Sequence, residues 1–150
     1  LTTLFPEVRL KKFLEMRGAD GGPWRQLCAL PALWVGLLYD QSALDACLDL
    51  IKDWTLEEHE HLRREVPRQA LQTPFRGRKV QDLACEVLEI ANAGRRARGG
   101  KDWGGGAGSK YLNALCQTAR EGRSPARQRL ELFEKEMGGS VDPLFERFAY

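Results

Sequence analysis

Apolar and polar residues alternate along residues 4–17. Val8, Leu10, Leu14 and Met16 fall on one side, with Lys12 the exception there, and Arg9, Lys11, Phe13, Glu15 and Arg17 fall on the other. A period of two marks a strand with one face toward a core. The segment therefore predicts a single strand whose apolar side packs on helices. A lone strand is not stable by itself, and its open backbone edge invites pairing. Its sheet partners are expected upstream, outside this chain. The stretch GADGGPW, a glycine-rich turn, follows at once.

From Trp24 onward the period becomes helical. Asp40 is placed to cap a helix carrying Leu44, Cys47, Leu48 and Ile51 at i, i+3, i+4 and i+7. Thr55 with Glu58 three residues on makes a capping box for the next helix, which Pro67 should interrupt. QTPFRG around Pro74 reads as a loop. Val80, Leu83, Ala84, Val87, Leu88 and Ala91 form the cleanest stripe, with Gly94 as its expected end. Leu112, Leu115, Cys116 and Ala119 form another. Ser124-Pro125 supplies N-cap and first-turn proline for a helix continued by Leu130, Phe133 and Met137, and Asp142-Pro143 starts a last short helix to Phe148. Residues 94–110, GRRARGGKDWGGGAGSK, read as a flexible surface loop. The competing reading is a phosphate or RNA contact with Trp103 stacking, but the loop lacks P-loop spacing and follows no strand.

A length of 150 residues suits one domain with a core, and 43% hydrophobic with 29% charged residues is the balance of a water-soluble globular chain. A net charge of +2 gives no ground for a nucleic-acid or anionic-membrane partner. The longest apolar run, LCALPALWVGLL, is broken by Pro31 and falls short of the ~20 residues a bilayer span requires. Cys28, Cys47, Cys85 and Cys116 form no C-x-x-C pair and sit in helical patterns, which argues for reduced, buried thiols and against a zinc ribbon. The chain opens on Leu1 and runs straight into an ordered pattern, so a fragment of a longer protein is expected.

Candidate chemistry narrows quickly. His59 and His61 are two apart, which turns their rings about 200° from one another on a helix and rules out the i, i+4 zinc pair. Ser42, Ser109, Ser124 and Ser140 lie in no nucleophile elbow. Glu57-Glu58 and Glu134/Glu136 belong to solvated helix faces. Glu15 and Arg17 remain. At i and i+2 on a strand they point the same way, roughly 6.6 Å apart, a spacing at which two side chains converge on one ligand. A carboxylate there can hold Mg²⁺ and an arginine can clamp phosphate oxygens. A cross-strand salt bridge on a half-exposed sheet face is the other reading.

The segments LEMRGADGGPW and GGSVDPLFERFAY, within a chain that fits from end to end, resemble the plant and proteobacterial type of glutamate–cysteine ligase. The glycine-rich stretch at residues 104–108 departs from that family's pattern. The resemblance implies an α+β fragment of a glutamine-synthetase-like catalytic domain: one sheet strand and turn in residues 1–24, then a mostly helical part in residues 25–150, together forming the C-terminal portion of a longer enzyme. It implies ATP-dependent joining of L-glutamate to L-cysteine through a γ-glutamyl phosphate, the first step of glutathione synthesis, with Mg²⁺ as cofactor and the remainder of the polypeptide as partner. A different amine acceptor within the same superfamily, or a non-catalytic helical interaction module, are the alternatives. Carried over by position, Glu15 is a Mg²⁺ ligand, Arg17 contacts the transferring phosphate, and Gly18 and Trp24 border the substrate. Cys28 matches a cysteine that plant members use in a redox-controlled disulfide with a partner outside this chain. The fragment alone should be inactive. The expected compartment is the cytoplasm for a bacterial source, which is favoured, or the plastid for a plant one.

Overall fold

The computed structural model of the chain describes residues 7–99 and 108–149. Its helices, in chain order, are α1 (Trp24–Leu38), α2 (Gln41–Ile51), α3 (Leu56–Gln69), α4 (Val80–Ala97), α5 (Asn113–Glu121), α6 (Pro125–Glu136) and α7 (Asp142–Arg147). Two small antiparallel hairpins pair β1 (Val8–Leu10) with β2 (Leu14–Met16) and β3 (Pro74–Phe75) with β4 (Arg78–Lys79). The arrangement is the mostly helical α+β one that the alternation and stripes imply. The expected caps form: Asp40 accepts from the Ala43 N–H at 3.0 Å, Thr55 and Glu58 close a capping box, and Ser124 accepts from Arg127 N–H at 3.2 Å.

The body is organised by α4, which packs against α1, α2 and α5. Ala32, Leu37, Ala91 and Leu112 are its buried centre, ringed by half-buried side chains that include Trp34, Val87, Ile90 and Leu115. Where α1 crosses α4 the two backbones touch. A Cβ on Gly36 would collide with the Ala91 carbonyl, and one on Gly94 would collide with the Gly36 carbonyl and come within 2.8 Å of the Ala43 Cβ. Gly94 therefore does not end α4, contrary to its reading as a stop. The helix runs on to Ala97, and the glycine serves the crossing. The first residues of the expected loop 94–110 are thus helical, while its segment 100–107, with Trp103, lies outside the described residues.

The α2 stripe also departs from expectation. Leu44, Leu48 and Ile51 are 38%, 60% and 43% exposed, whereas Ala43 is buried. The reason is the 89° bend between α1 and α2, which docks α2 through small Ala43 against Gly94 and turns the bulky stripe outward. Among the described residues no single helix is long and apolar enough to cross a membrane. The four cysteines are free and half-buried, not fully buried as the helical patterns suggested.

Pro67 does not interrupt α3 where it stands, because it sits in the last turn and the helix continues to Gln69. QTPFRG is not a plain loop. Arg76 and Gly77 take φ of 48° and 74°, the pair of positive values that a tight two-residue hairpin turn requires. Arg76 then grips Glu58 with two bonds, Nε to Oε1 at 2.6 Å and Nη2 to Oε2 at 2.7 Å, and also donates to the Asp53 carbonyl. That grip, with the Thr55 N–H, holds the Glu58 carboxyl down at about 2. Its stabilising effect is present above the ordinary carboxyl range and is lost as pH falls toward 2.

The N-terminal alternation is real, but the segment is not one strand. It folds back on itself, with Val8 opposite Met16, Arg9 opposite Glu15 and Leu10 opposite Leu14. Because the two arms share one register, the even-numbered apolar residues still share a face. That face does not pack on helices: Val8, Leu10 and Leu14 are 47%, 79% and 56% exposed.

The close crossing makes a direct prediction. Gly36→Ala and Gly94→Ala should each destabilise the chain by about 1–3 kcal/mol through overpacking, despite the gain of up to ~1 kcal/mol in helix propensity. Gly18→Ala, with nothing within 4 Å of its Cβ, should be neutral. Urea denaturation of the three variants checks this. Neutral substitutions at both crossing positions would show that the helices do not meet there.

Candidate active site

The hairpin sets up the first part of the site. Arg9 and Glu15 face each other across the ladder, and the Arg17 N–H donates to the Glu7 carbonyl at 2.8 Å, extending the pairing. Alternation continued through Arg17 puts it on the Glu15 face. Arg9 Nε donates to Glu15 Oε2 at 2.6 Å, and Lys11 Nζ approaches Oε1 at 3.5 Å. The bond from Arg9, aided by the charges of Arg9 and Lys11, holds the Glu15 carboxyl below its ordinary value of 4.5. Glu15 is therefore ionised throughout the neutral range. The cross-strand salt bridge that competed with the metal reading is present, formed with Arg9. Arg17 is half-buried and engaged.

Arg9 and Lys11 fall on the polar face of the N-terminal alternation, but a single extended strand hides their role. The signal that identifies it is the Lys11-Lys12 break between two three-residue alternating runs, which is where the chain turns.

Gly18 and Gly21 leave open space where a Cβ would stand and show no positive φ, so nothing in the described structure demands glycine at either position. The turn ends at Pro23, whose carbonyl accepts the N–H groups of Gln26 and Leu27 and starts α1. Trp24, first residue of that helix, is 78% exposed, which excludes core packing as its role within this chain. Cys28 lies one turn on, on the same side. Both line a groove of about 680 Å³ with Arg25, Tyr111, Arg129 and Phe148. The structure thus brings Trp24 together with Cys28; Glu15 and Arg17 share a face by alternation, and neither lines the Trp24 groove.

The donor set does not complete a magnesium site. Among the described residues no group of three His, Cys, Asp or Glu side chains comes together, and Mg²⁺ takes six oxygens in near-octahedral array. Glu15 alone offers at most two. The histidines are structural: His59 packs on Trp54 at 5.4 Å between ring centres, and His61 Nε2 meets the Pro74 carbonyl at 3.0 Å.

The sequence profile described as Glutamate-cysteine ligase family 2 (GCS2) matches residues 1–147. The chain belongs to this family. Over all 150 residues it is 54% identical to the chloroplastic glutamate–cysteine ligase of Arabidopsis thaliana, 51% to that of Nicotiana tabacum and 51% to chloroplastic glutamate–cysteine ligase A of Oryza sativa subsp. indica. It spans 28–29% of the length of these relatives.

The ion pair fixes a titration. Glu15 should titrate below 4.5 in the folded chain, and Arg9→Ala should raise its midpoint toward that value. Carboxyl carbon NMR across an acid titration reads both. A midpoint unmoved by Arg9→Ala would contradict the pairing.

Proposed function

We propose that the chain is part of an ATP-dependent glutamate–cysteine ligase that joins the γ-carboxylate of L-glutamate to the amine of L-cysteine. The observation that carries this reading is identity of 50–54% across all 150 residues to proteins named for that activity. A γ-carboxylate oxygen attacks the terminal phosphorus of ATP and releases ADP. The cysteine amine then attacks the acyl carbon, loses a proton and expels phosphate. This is the first step of glutathione synthesis. In this reading the β1–β2 hairpin belongs to a larger curved sheet of glutamine-synthetase type, to which the rest of the polypeptide contributes. For a plant source the relatives' names favour the plastid as compartment.

The chain's own residues have defined tasks. Arg17 presents a planar fork to the oxygens of the transferring phosphate, an arrangement a lysine cannot reproduce. Glu15, ionised and at the surface, supplies one carboxylate to a magnesium site whose other ligands come from outside the described residues. A magnesium ion held there would supply positive charge against that of the phosphate. To serve it, Glu15 must exchange its hydrogen bonds to Arg9 and Lys11, so those cations hold the carboxylate in place in the metal-free state. The open space at Gly18 leaves room for substrate, and Trp24 walls the neighbouring groove.

In the full-length enzyme, Glu15→Gln and Arg17→Lys should each lower kcat by about 10²-fold or more, the scale of one lost preorganised electrostatic contact. The melting temperature should move little, since exposed ion pairs contribute about 0–1 kcal/mol. The 150-residue chain alone should form no γ-glutamylcysteine. Near-normal kcat in either variant removes that residue from the site, and product formed by the chain alone overturns the account of an incomplete site.

A further inference from the structure

The turn between β2 and α1 carries a chemistry of its own. Residues 17–23 form no helix or strand, and Asp20 and Gly21 are both exposed there. Asp20 is the one aspartate or asparagine in the sequence that glycine follows. Asn92 and Asn113 precede alanine and lie in α4 and α5. Asp40, Asp45, Asp49, Asp82 and Asp142 sit in or beside helices, and each side chain accepts a hydrogen bond. Asp53 precedes bulky Trp54, and Asp102 lies outside the described residues.

Helical backbone angles keep the nitrogen of the next residue from meeting an aspartate's side-chain carboxyl carbon. No such restraint acts on Asp20. Among the described residues no hydrogen bond or ion pair engages its side chain, and the Gly21 N–H has no acceptor. A Cβ at Gly21 would meet nothing within 4 Å, so the space around it is open. Glycine also ranges over backbone angles more widely than any other residue and has no Cβ to shield its nitrogen.

We propose that Asp20 is a site of isoaspartate formation. The Gly21 backbone nitrogen attacks the Asp20 side-chain carboxyl carbon. A C–N bond forms and a C–O bond breaks. The departing oxygen leaves as water, taking the amide proton and one proton from solvent. The five-membered succinimide then takes up water. Attack at the side-chain carbonyl restores aspartate. Attack at the main-chain carbonyl breaks that carbon's bond to nitrogen and frees the α-carboxyl, which returns a proton to solvent. The chain then runs through the side-chain carbon. Nothing is oxidised or reduced, and mass and charge end unchanged. The product has one more backbone carbon between Arg17 and Trp24 and a free carboxylate beside it. The inference rests on this dipeptide and its backbone, not on the proposed reaction.

The test ages the full-length protein that contains this chain for several weeks at neutral pH and physiological temperature. Trypsin cuts after Arg17 and Arg25 and releases GADGGPWR. Two isomers of equal mass should appear, and electron-transfer fragmentation should place the new linkage at Asp20. Peptides carrying Asp40, Asp49 and Asp82 should stay single. Gly21→Ala, whose methyl has room in the fold but crowds the attacking nitrogen, should slow accumulation about tenfold or more. Asp20→Glu, which would have to close a six-membered ring, should stop it. The rest of the polypeptide enters through one variable, how freely the Gly21 nitrogen reaches the carboxyl, so the folded protein is the deciding sample. Isoaspartate no more abundant at Asp20 than at Asp40 or Asp82, isoaspartate formed only after denaturation in urea, or equal rates in the unmodified protein and Gly21→Ala would overturn the proposal.

Discussion

The backbone contact between α1 and α4 is the constraint on which the rest of the structure depends. Two helices can approach this closely only where side chains are missing, and Gly36 and Gly94 supply that on both sides, with Ala91 and Ala43 beside them. Close approach brings the flanking larger residues into one core around Leu37 and Leu112. It also fixes where α2 leaves α1, and hence which α2 residues face outward. The exposed Leu44, Leu48 and Ile51 are a consequence of this docking, because the small face of α2 is the one that fits.

Elements far from the crossing are held by polar contacts. The Arg76 grip on Glu58 ties the β3–β4 hairpin to the start of α3, with Phe75 packed edge-on to Trp54 at 4.8 Å. The β1–β2 hairpin is tied across its own ladder by Arg9 and Glu15, and to α3 by the Glu7–Arg63 pair at 2.9 Å. Exposed pairs of this kind contribute little stability. The carboxylate proposed to hold magnesium and the arginine proposed to clamp phosphate therefore sit on a small, weakly anchored element, while the Trp24 groove sits on the helical body.

The helices were legible in the sequence wherever a local rule decided them. Asp40, Thr55 with Glu58, and Ser124 with Pro125 cap as their chemistry requires, and the stripe from Val80 to Ala91 does bury Leu83, Leu88 and Ala91. What was not legible depended on contacts distant in sequence. Gly94 looks like a helix end until Gly36 is known to lie against it. The α2 stripe looks buried until the bend at Asp40 is known. The chain reversal between Leu10 and Leu14 leaves the alternation intact, so the period alone does not reveal it. At the candidate site the pairing of Glu15 with a cation was foreseen as an alternative, but its partner proved to be Arg9. Trp24, read from resemblance as a wall of the substrate site, is exposed and lines a groove that neither Glu15 nor Arg17 lines.

Amide hydrogen exchange tests the central claim most directly, because it reads local stability residue by residue. If the α1–α4 crossing anchors the chain, the amides of both helices around Gly36, Ala91 and Gly94 exchange slowest, and Gly94→Ala speeds them together. The β1–β2 amides exchange faster by orders of magnitude. Protection of the hairpin equal to that of α4, or slow exchange at the crossing unchanged by Gly94→Ala, would contradict the account.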